Sequence, residues 1–221
     1  MRRLAVPVIA ALALSGCEAG GFSDQFGGAA TIATPYGVAS AIPTATGSFA
    51  GVADADTTVI QDADGNGYAF AYANVDAASY GDKTVSSGTR GQYAITGVLP
   101  GTALGTTPAS GSALMTGTYN LVVVGTNALS DPAGWTVSRP SGTVTATMDF
   151  STGELAGRSA DGNLTLANPA GTGFANGFAG TVSYLGTAGT FAGALGPDDA
   201  VATMTGKDSD RFFAGGFAIA R

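Results

Sequence analysis

Two short acidic segments hold the residues whose types and spacing could support chemistry. In DADGNG, Asp62, Asp64 and Asn66 have the spacing with which oxygen ligands occupy positions one, three and five of a calcium-binding loop. Gly67 stands where such a loop turns sharply, but the twelfth position is Ala73 instead of a bidentate Glu. A hairpin turn rich in Asp-Gly and Asn-Gly explains the same residues. The segment predicts a turn, with a weak calcium site as the alternative.

Paired carboxylates are the remaining route to catalysis. Asp62 with Asp64, or Asp198 with Asp199 in GPDDA, could in principle act as acid and base. Both pairs lie in segments with the composition of turns, where Asp and Gly are favoured for backbone reasons. The chain has no histidine, which excludes a Ser-His-Asp triad and the usual His-bearing zinc sites. We therefore predict a protein that is not an enzyme.

The single cysteine, Cys17, lies in LALSGCEAGG near the start of the chain. It follows two arginines and an apolar run, residues 4–13, that is shorter than the roughly 20 residues needed to span a bilayer. Leu-Ser-Gly-Cys resembles the bacterial lipobox, at which the chain is cut before the cysteine and the thiol is acylated, typically with palmitate. We predict a signal peptide over residues 1–16 and lipidation of Cys17. An ordinary secretory peptide or a buried free cysteine is the alternative.

Composition and charge restrict the class of partner. Without Arg2 and Arg3, seven Lys and Arg face 16 Asp and Glu, so the mature chain has a net charge near −9. An acidic surface repels phosphate backbones and anionic lipids, which argues against nucleic acid as a partner. Membrane attachment must then come from the lipid on Cys17. With 35 glycines and few charged residues, the composition indicates a β protein.

Alternation of apolar and polar residues recurs through the second half of the chain. In TVTATMDF, the residues Val144, Ala146, Met148 and Phe150 fall on one face of a strand. Similar runs follow in ELAGRS, NLTLAN, TVSYLG, TFAGAL and RFFAGGFAIA, with Gly, Asn, Asp or Pro between them. The pattern predicts an antiparallel meander.

A repeated tripeptide indicates how the meander closes. Phe-Ala-Gly begins at Phe49, Phe178, Phe191 and Phe213, and alternation puts each Phe and its Gly on the same face. An aromatic ring can cover the gap that a strand glycine leaves, and glycines let a sheet bend sharply. We predict a small barrel with a packed interior, with a flat sandwich as the alternative. Its outward positions carry Thr, Asp, Glu and Arg, so we do not expect an integral outer-membrane barrel.

Four segments are predicted along the chain. After the signal peptide, residues 17–30 are small and polar enough to be a tether from the lipid. Residues 31–108 form a smaller, irregular β-rich segment with strands in GSFAGVA, TTVIQ, GYAFAYANV and GQYAITGV, followed by the Gly/Thr/Pro stretch LPGTALGTTPASGS. Residues 109–221 form the barrel.

The C-terminal half resembles the barrel domain of transferrin-binding protein B and its smaller relatives among bacterial surface lipoproteins of the Slam-dependent type. The family has a tyrosine-bearing first strand, Asp-Phe-Ser-x-Gly, Gly-x-Phe-x-Gly leading into Gly-Pro, and a final Gly-x-Phe strand, in this order. The matching residues are Tyr119; Asp149, Phe150, Ser151 and Gly153; Gly189, Phe191, Gly193, Gly196 and Pro197; Gly216 and Phe217. The resemblance departs at Ala194 and Leu195, where the family has an aromatic residue, and it implies an eight-stranded barrel.

The resemblance also implies a place and a role. Such lipoproteins are anchored in the bacterial outer membrane, are often carried to the cell surface by a dedicated translocon, and several capture host proteins that carry iron or haem. We therefore expect a surface lipoprotein that binds an external partner; the alternative is a structural or periplasm-facing envelope lipoprotein. Without histidine, a haem ligand would have to be Tyr or Met, and Tyr68, Tyr72, Tyr80 and Tyr93 cluster in the N-terminal segment. We expect no tightly bound cofactor. The sequence does not identify ligand-binding residues.

Overall fold

The structure, a computed structural model, describes residues 30–34, 37–41, 56–76, 90–125, 136–169 and 178–221. The fold is all-β, as the composition and the alternation predict. Every element in the described ranges is a strand, so none of them is a helix that is long and apolar enough to cross a membrane.

The first five strands form one antiparallel sheet, called the handle sheet below. Its strands are β1 (Ala30–Thr34), β2 (Gly37–Ala41), β3 (Asp56–Gln61), β4 (Gly67–Asp76) and β5 (Arg90–Val98), in the spatial order β2-β1-β5-β4-β3. The last three coincide with the strands predicted from TTVIQ, GYAFAYANV and GQYAITGV. The first two were not predicted, because ATIAT and GVASA are mostly small residues without an alternation of large apolar side chains.

The second half of the chain folds into a closed, eight-stranded antiparallel meander. It begins with β6 (Ser112–Gly125), and a short strand β7 (Thr136–Ser138) pairs with the end of β6. The other barrel strands are β8 (Ser141–Asp149), β9 (Glu154–Ser159), β10 (Leu164–Asn168), β11 (Phe178–Tyr184), β12 (Thr187–Leu195), β13 (Asp199–Lys207) and β14 (Arg211–Ala220). Each strand pairs with the next along the chain, and β14 returns to pair with β6 from Arg211 opposite Gly125 to Ala220 opposite Thr116. The predicted barrel is confirmed.

The barrel interior is filled by the inward faces that the alternation predicted. Val144, Met148 and Leu155 on β8 and β9 are 1% exposed or less, and Phe213 and Phe217 on β14 are fully buried. Four rings meet in pairs, with centroids of Phe191 and Phe217 5.5 Å apart and those of Tyr184 and Phe213 6.0 Å apart. An eight-stranded barrel is just wide enough for side chains to fill it. These side chains are therefore the protein's main core.

Glycines opposite aromatic residues let the rings lie flat against the sheet. Gly180 is the direct partner of Phe191, and a Cβ at that glycine would lie 2.6 Å from the ring. Gly206 is paired with Phe213 in the same way, at 2.4 Å. The prediction that aromatic rings cover strand glycines is confirmed at these positions. The Phe-Ala-Gly that begins at residue 49 lies outside the described residues.

Candidate functional site

The segment DADGNG forms the turn of the β3–β4 hairpin. Asp62 Oδ1 accepts the backbone N–H of Asp64 and that of Asn66, each at 2.9 Å, and its Oδ2 accepts the Asn66 side-chain amide at 3.2 Å. Asn66 Oδ1 accepts the backbone N–H of Ala103 at 2.9 Å. Gly65 has a φ of +85°, which a glycine adopts without strain. The side-chain oxygens of Asp62 and Asn66, two of the three residues proposed as calcium ligands, thus hold the turn and the chain that follows the handle sheet.

The electrostatics of Asp62 agree with this role. Slight burial opposes ionisation, but the hydrogen bonds from Asn66, Asp64 and Gly65 outweigh it and lower the pKa of Asp62 below its usual value. Among the described residues, no group of three Asp, Glu, His or Cys is arranged to hold a metal ion. Calcium binding therefore remains a prediction that this turn does not require.

The second acidic pair lies beside the first. The turn between β12 and β13 contains Asp198 and leads into Asp199. Partial burial, together with the nearby carboxylates of Asp62 and Asp198, raises the pKa of Asp199 above its usual value. Asp198 forms a surface salt bridge with Arg221, at 3.5 Å. The fold thus brings both sequence-predicted carboxylate pairs to one end of the molecule, which the sequence alone did not indicate.

The tyrosines considered as haem ligands have different surroundings. The Tyr68 ring is fully buried, and its hydroxyl accepts the side-chain amide of Asn120 at 3.1 Å. Burial raises the pKa of Tyr68, although the contact with Asn120 acts in the opposite direction. Tyr72 is half-buried, Tyr80 and the side chain of Tyr93 lie outside the described residues, and so does Cys17. Tyr68 is held in the packing and is not presented as a ligand.

Tyr68 belongs to a joint between the handle sheet and the outer face of the barrel. A second apolar cluster joins Tyr68 and Phe70 of β4 to Val122, Val124 and Phe212 of the barrel. A Cβ at Gly216 on β14 would lie 2.6 Å from the Tyr68 ring, so only a glycine leaves room for that ring. The handle sheet is thus packed on β6 and β14 by an apolar contact.

A buried hydroxyl completes the joint. The Thr96 side chain is fully buried, and its Oγ1 lies 2.7 Å from the Gly215 carbonyl oxygen on β14 and 3.0 Å from that of Ala69 on β4. A buried hydroxyl needs such a partner. Sequence reasoning missed this joint; its only sequence signal is the Gly-Gly pair at 215 and 216, of which alternation puts one glycine on the outer face.

The barrel interior offers no lumen in the described part of the chain. Its inward side chains form one contiguous cluster of buried residues. A pocket beside the joint, lined by Thr96, Phe191 and Thr203 among others, has a volume of about 10 Å³, which is room for one water molecule.

Comparison with known proteins gives matches among solved structures only. No protein-family model matches the chain, and no curated protein matches its sequence. A single-residue variant of transferrin-binding protein B from Haemophilus parasuis is similar over 86% of this chain and 44% of its own, with 10% identity and a TM-score of 0.46. Intact transferrin-binding protein B with both lobes is similar over 87% of this chain and 46% of its own, with 11% identity and a TM-score of 0.41.

A shorter protein also matches. A crystal structure named as a surface lipoprotein is similar over 88% of this chain and 98% of its own, with 13% identity and a TM-score of 0.42. This chain spans less than half the length of the two transferrin-binding proteins. The eight-stranded barrel that the sequence resemblance implies is present in this structure.

Proposed function

We propose that this protein is a lipid-anchored surface lipoprotein of the bacterial outer membrane that binds an external partner and does not catalyse a reaction. The observation that carries the proposal is the filled barrel. Since aromatic side chains occupy its interior, the barrel is a rigid support whose outer surface and handle sheet are presented to other molecules.

The rest of the proposal rests on the sequence. The lipobox-like Leu-Ser-Gly-Cys supports an anchor at Cys17, and the order of motifs in the C-terminal half resembles that of a class in which several members capture host proteins that carry iron or haem. Two of the three matched proteins described above are named for transferrin binding, and no residue of this chain is assigned to transferrin. An external protein is the class of partner we propose.

The proposal that the protein is not an enzyme is supported by the structural contacts of the carboxylates. Asp62 accepts hydrogen bonds that close its turn, and Asp198 is paired with Arg221 at the surface. An acid and base pair would need carboxylates directed at a common substrate.

Protease shaving of intact cells tests the proposal, with an antibody to the mature chain and a periplasmic protein as the lysis control. We expect the signal to be lost from unbroken cells, after which pull-down from host fluid identifies the partner. Full protection would place the protein beneath the outer membrane and support a structural envelope role instead. Cys17→Ala is expected to release the protein from membranes; a variant that stays membrane-bound would refute the anchor.

A further inference from the structure

The two ends of the molecule differ in charge. The acidic end comprises the β3–β4 turn (62–66), the β8–β9 turn (150–153) and the β12–β13 turn (196–198). The last two turns are neighbours, because the Arg221 guanidinium is 3.5 Å from Asp198 and lies over the Phe150 ring at 6.0 Å. The first turn lies near them, because the Asp62 carboxylate is close enough to act on that of Asp199. The opposite end comprises the β9–β10 turn (160–163), the β11–β12 turn (185–186) and the β13–β14 turn (208–210).

The described charged side chains separate between these ends. The acidic end has one basic side chain, Arg221, and its carboxylates are Asp62, Asp64, Asp149, Glu154, Asp198 and Asp199. The opposite end has three carboxylates, Asp161, Asp208 and Asp210, and three basic side chains, Arg158, Lys207 and Arg211. The fifth described basic side chain, Arg139, lies just before β8, away from the acidic end, and donates to Thr58 Oγ1 of β3. The described excess of negative charge thus lies at one end.

The chain enters the fold at the acidic end. β1 is antiparallel to β5 and places Thr31 opposite Thr96. In turn, β5 places Val98 opposite Tyr68, the second residue of β4 after the β3–β4 turn. The first described residue, Ala30, therefore lies at the end of the handle sheet that carries this turn. A lipid on Cys17 would be attached to the body from this side.

We infer that the acidic end faces the membrane and is repelled by anionic lipid, so that the body stands off from the bilayer with its opposite end outward. This rests on the proposed anchor at Cys17. The 13 residue steps from Cys17 to Ala30 reach at most about 45 Å, whereas the repulsion extends over a Debye length of about 8–10 Å at physiological salt. The connection is therefore long enough for the body to leave the repulsive layer while it remains attached.

The single cysteine makes a direct test possible. The chain from Cys17 onward is coupled through that thiol to a maleimide lipid in a supported bilayer. The distance of the body from the bilayer is measured by neutron reflectometry, on phosphatidylcholine with and without phosphatidylglycerol. At low salt, about 0.01 M, we expect the body to lie further from the anionic bilayer by roughly 10 Å or more, and the difference to vanish in about 1 M salt.

Two variants of equal charge separate an effect of the acidic end from an effect of net charge. The triple variant Asp64→Asn, Glu154→Gln, Asp198→Asn and the double variant Ser209→Lys, Asp210→Lys both raise the net charge by three at exposed positions. Only the triple variant is expected to abolish the difference between the distances of the body from the anionic and the neutral bilayer. The inference would be overturned if the body of the unchanged chain lay at the same distance from both bilayers. It would also be overturned if the two variants reduced the difference in distance equally. Because the lipid is supplied chemically, this outcome is independent of whether cells acylate Cys17 or whether a partner exists.

Discussion

Tyr119 covers Gly142, the residue directly opposite it across the β6–β8 pair. A Cβ at Gly142 would lie 2.8 Å from the Tyr119 ring, and no other residue supplies one of its three nearest atoms. The tyrosine cannot move aside freely, because its side chain is fully buried and its hydroxyl donates to Asp161 Oδ2 at 3.1 Å. Burial and the Asp161 carboxylate raise the pKa of Tyr119 to about 12, so the hydroxyl remains a donor at neutral pH.

Gly142→Ala is therefore expected to reduce the free energy of unfolding by about 1–3 kcal/mol, the usual cost of overpacking. In a Tyr119→Leu background, which removes the ring, the same substitution should cost less than about 0.5 kcal/mol. Urea denaturation of the four proteins measures both values. Equal costs in the two backgrounds would show that the ring is not what excludes a side chain at this position.

The β11–β12 hairpin contains a residue that its backbone does not favour. Leu185 has a φ of +48° and is followed by Gly186 with a φ of +86°, in a two-residue hairpin connection. Asn is far more common than Leu in this conformation, and Leu185 is 51% exposed. Leu185→Asn is expected to raise the free energy of unfolding by about 0.5–1 kcal/mol.

Leu114 provides the matched control, because it is also an exposed leucine, at 65%, but lies within β6. Leu114→Asn should leave stability unchanged or lower it, since Asn is disfavoured in strands. Thermal denaturation of the two variants distinguishes relief of backbone strain from a general benefit of removing surface leucine. A stabilising effect of similar size in both would favour the second explanation.

The barrel was predictable because its core depends on alternation, which is visible in one strand at a time. Val144, Met148 and Phe217 are buried where the period of two places them. The joint between the handle sheet and the barrel was not predictable, because Tyr68 and Gly216 meet only after two separate sheets have formed. The left-handed Leu185 was hidden for a related reason: Leu-Gly is not a typical turn sequence, and the pairing of β11 with β12 imposes the turn.

Substitutions of Asp62 and Asp64 distinguish a purely structural turn from a calcium site. Asp62→Ala removes the acceptor of two backbone N–H groups and should lower the free energy of unfolding by about 1 kcal/mol. Asp64 has only its backbone N–H in the hydrogen bonds of the turn, so Asp64→Ala should have little effect on stability. A calcium site would instead make both variants lose a calcium-dependent rise in melting temperature. Melting with calcium and with a chelator decides between the two.

Titration of Asp199 should make the protein more stable in mild acid than at neutral pH. Its folded-state pKa is raised by partial burial and by Asp62 and Asp198. Because the folded-state pKa is raised, the protonated form of Asp199 contributes to the stability of the folded protein. This contribution is fully present below the unfolded-state pKa, near 3.8, and is lost as the pH rises through the higher folded-state pKa. Asp199→Asn is therefore expected to be more stable than the unchanged protein at pH 7, with the advantage shrinking toward pH 4. Denaturation across this range checks the sign, and a constant advantage would rule out titration as its cause.

Gly216 tests whether the handle sheet is held to the barrel mainly by close packing. In Gly216→Ala, the new Cβ would lie 2.6 Å from the Tyr68 ring of the handle sheet, which must then shift, and 2.5 Å from the Ala202 carbonyl oxygen of the neighbouring barrel strand. We expect a separate, earlier unfolding transition of the handle sheet in calorimetry, and faster cleavage of the connecting residues 99–111 by a protease of broad specificity.

Gly206→Ala is the control for this experiment, because its Cβ would meet Phe213 inside the barrel, at 2.4 Å, and not the joint. That variant should lower the stability of the barrel without releasing the handle sheet beforehand. If Gly216→Ala instead unfolds in one transition and is cut no faster than the unchanged protein, the close contact of Tyr68 with β14 is not what joins the two sheets. The hydrogen bond from Thr96 to the Gly215 carbonyl would then be the contact to remove next, as Thr96→Val.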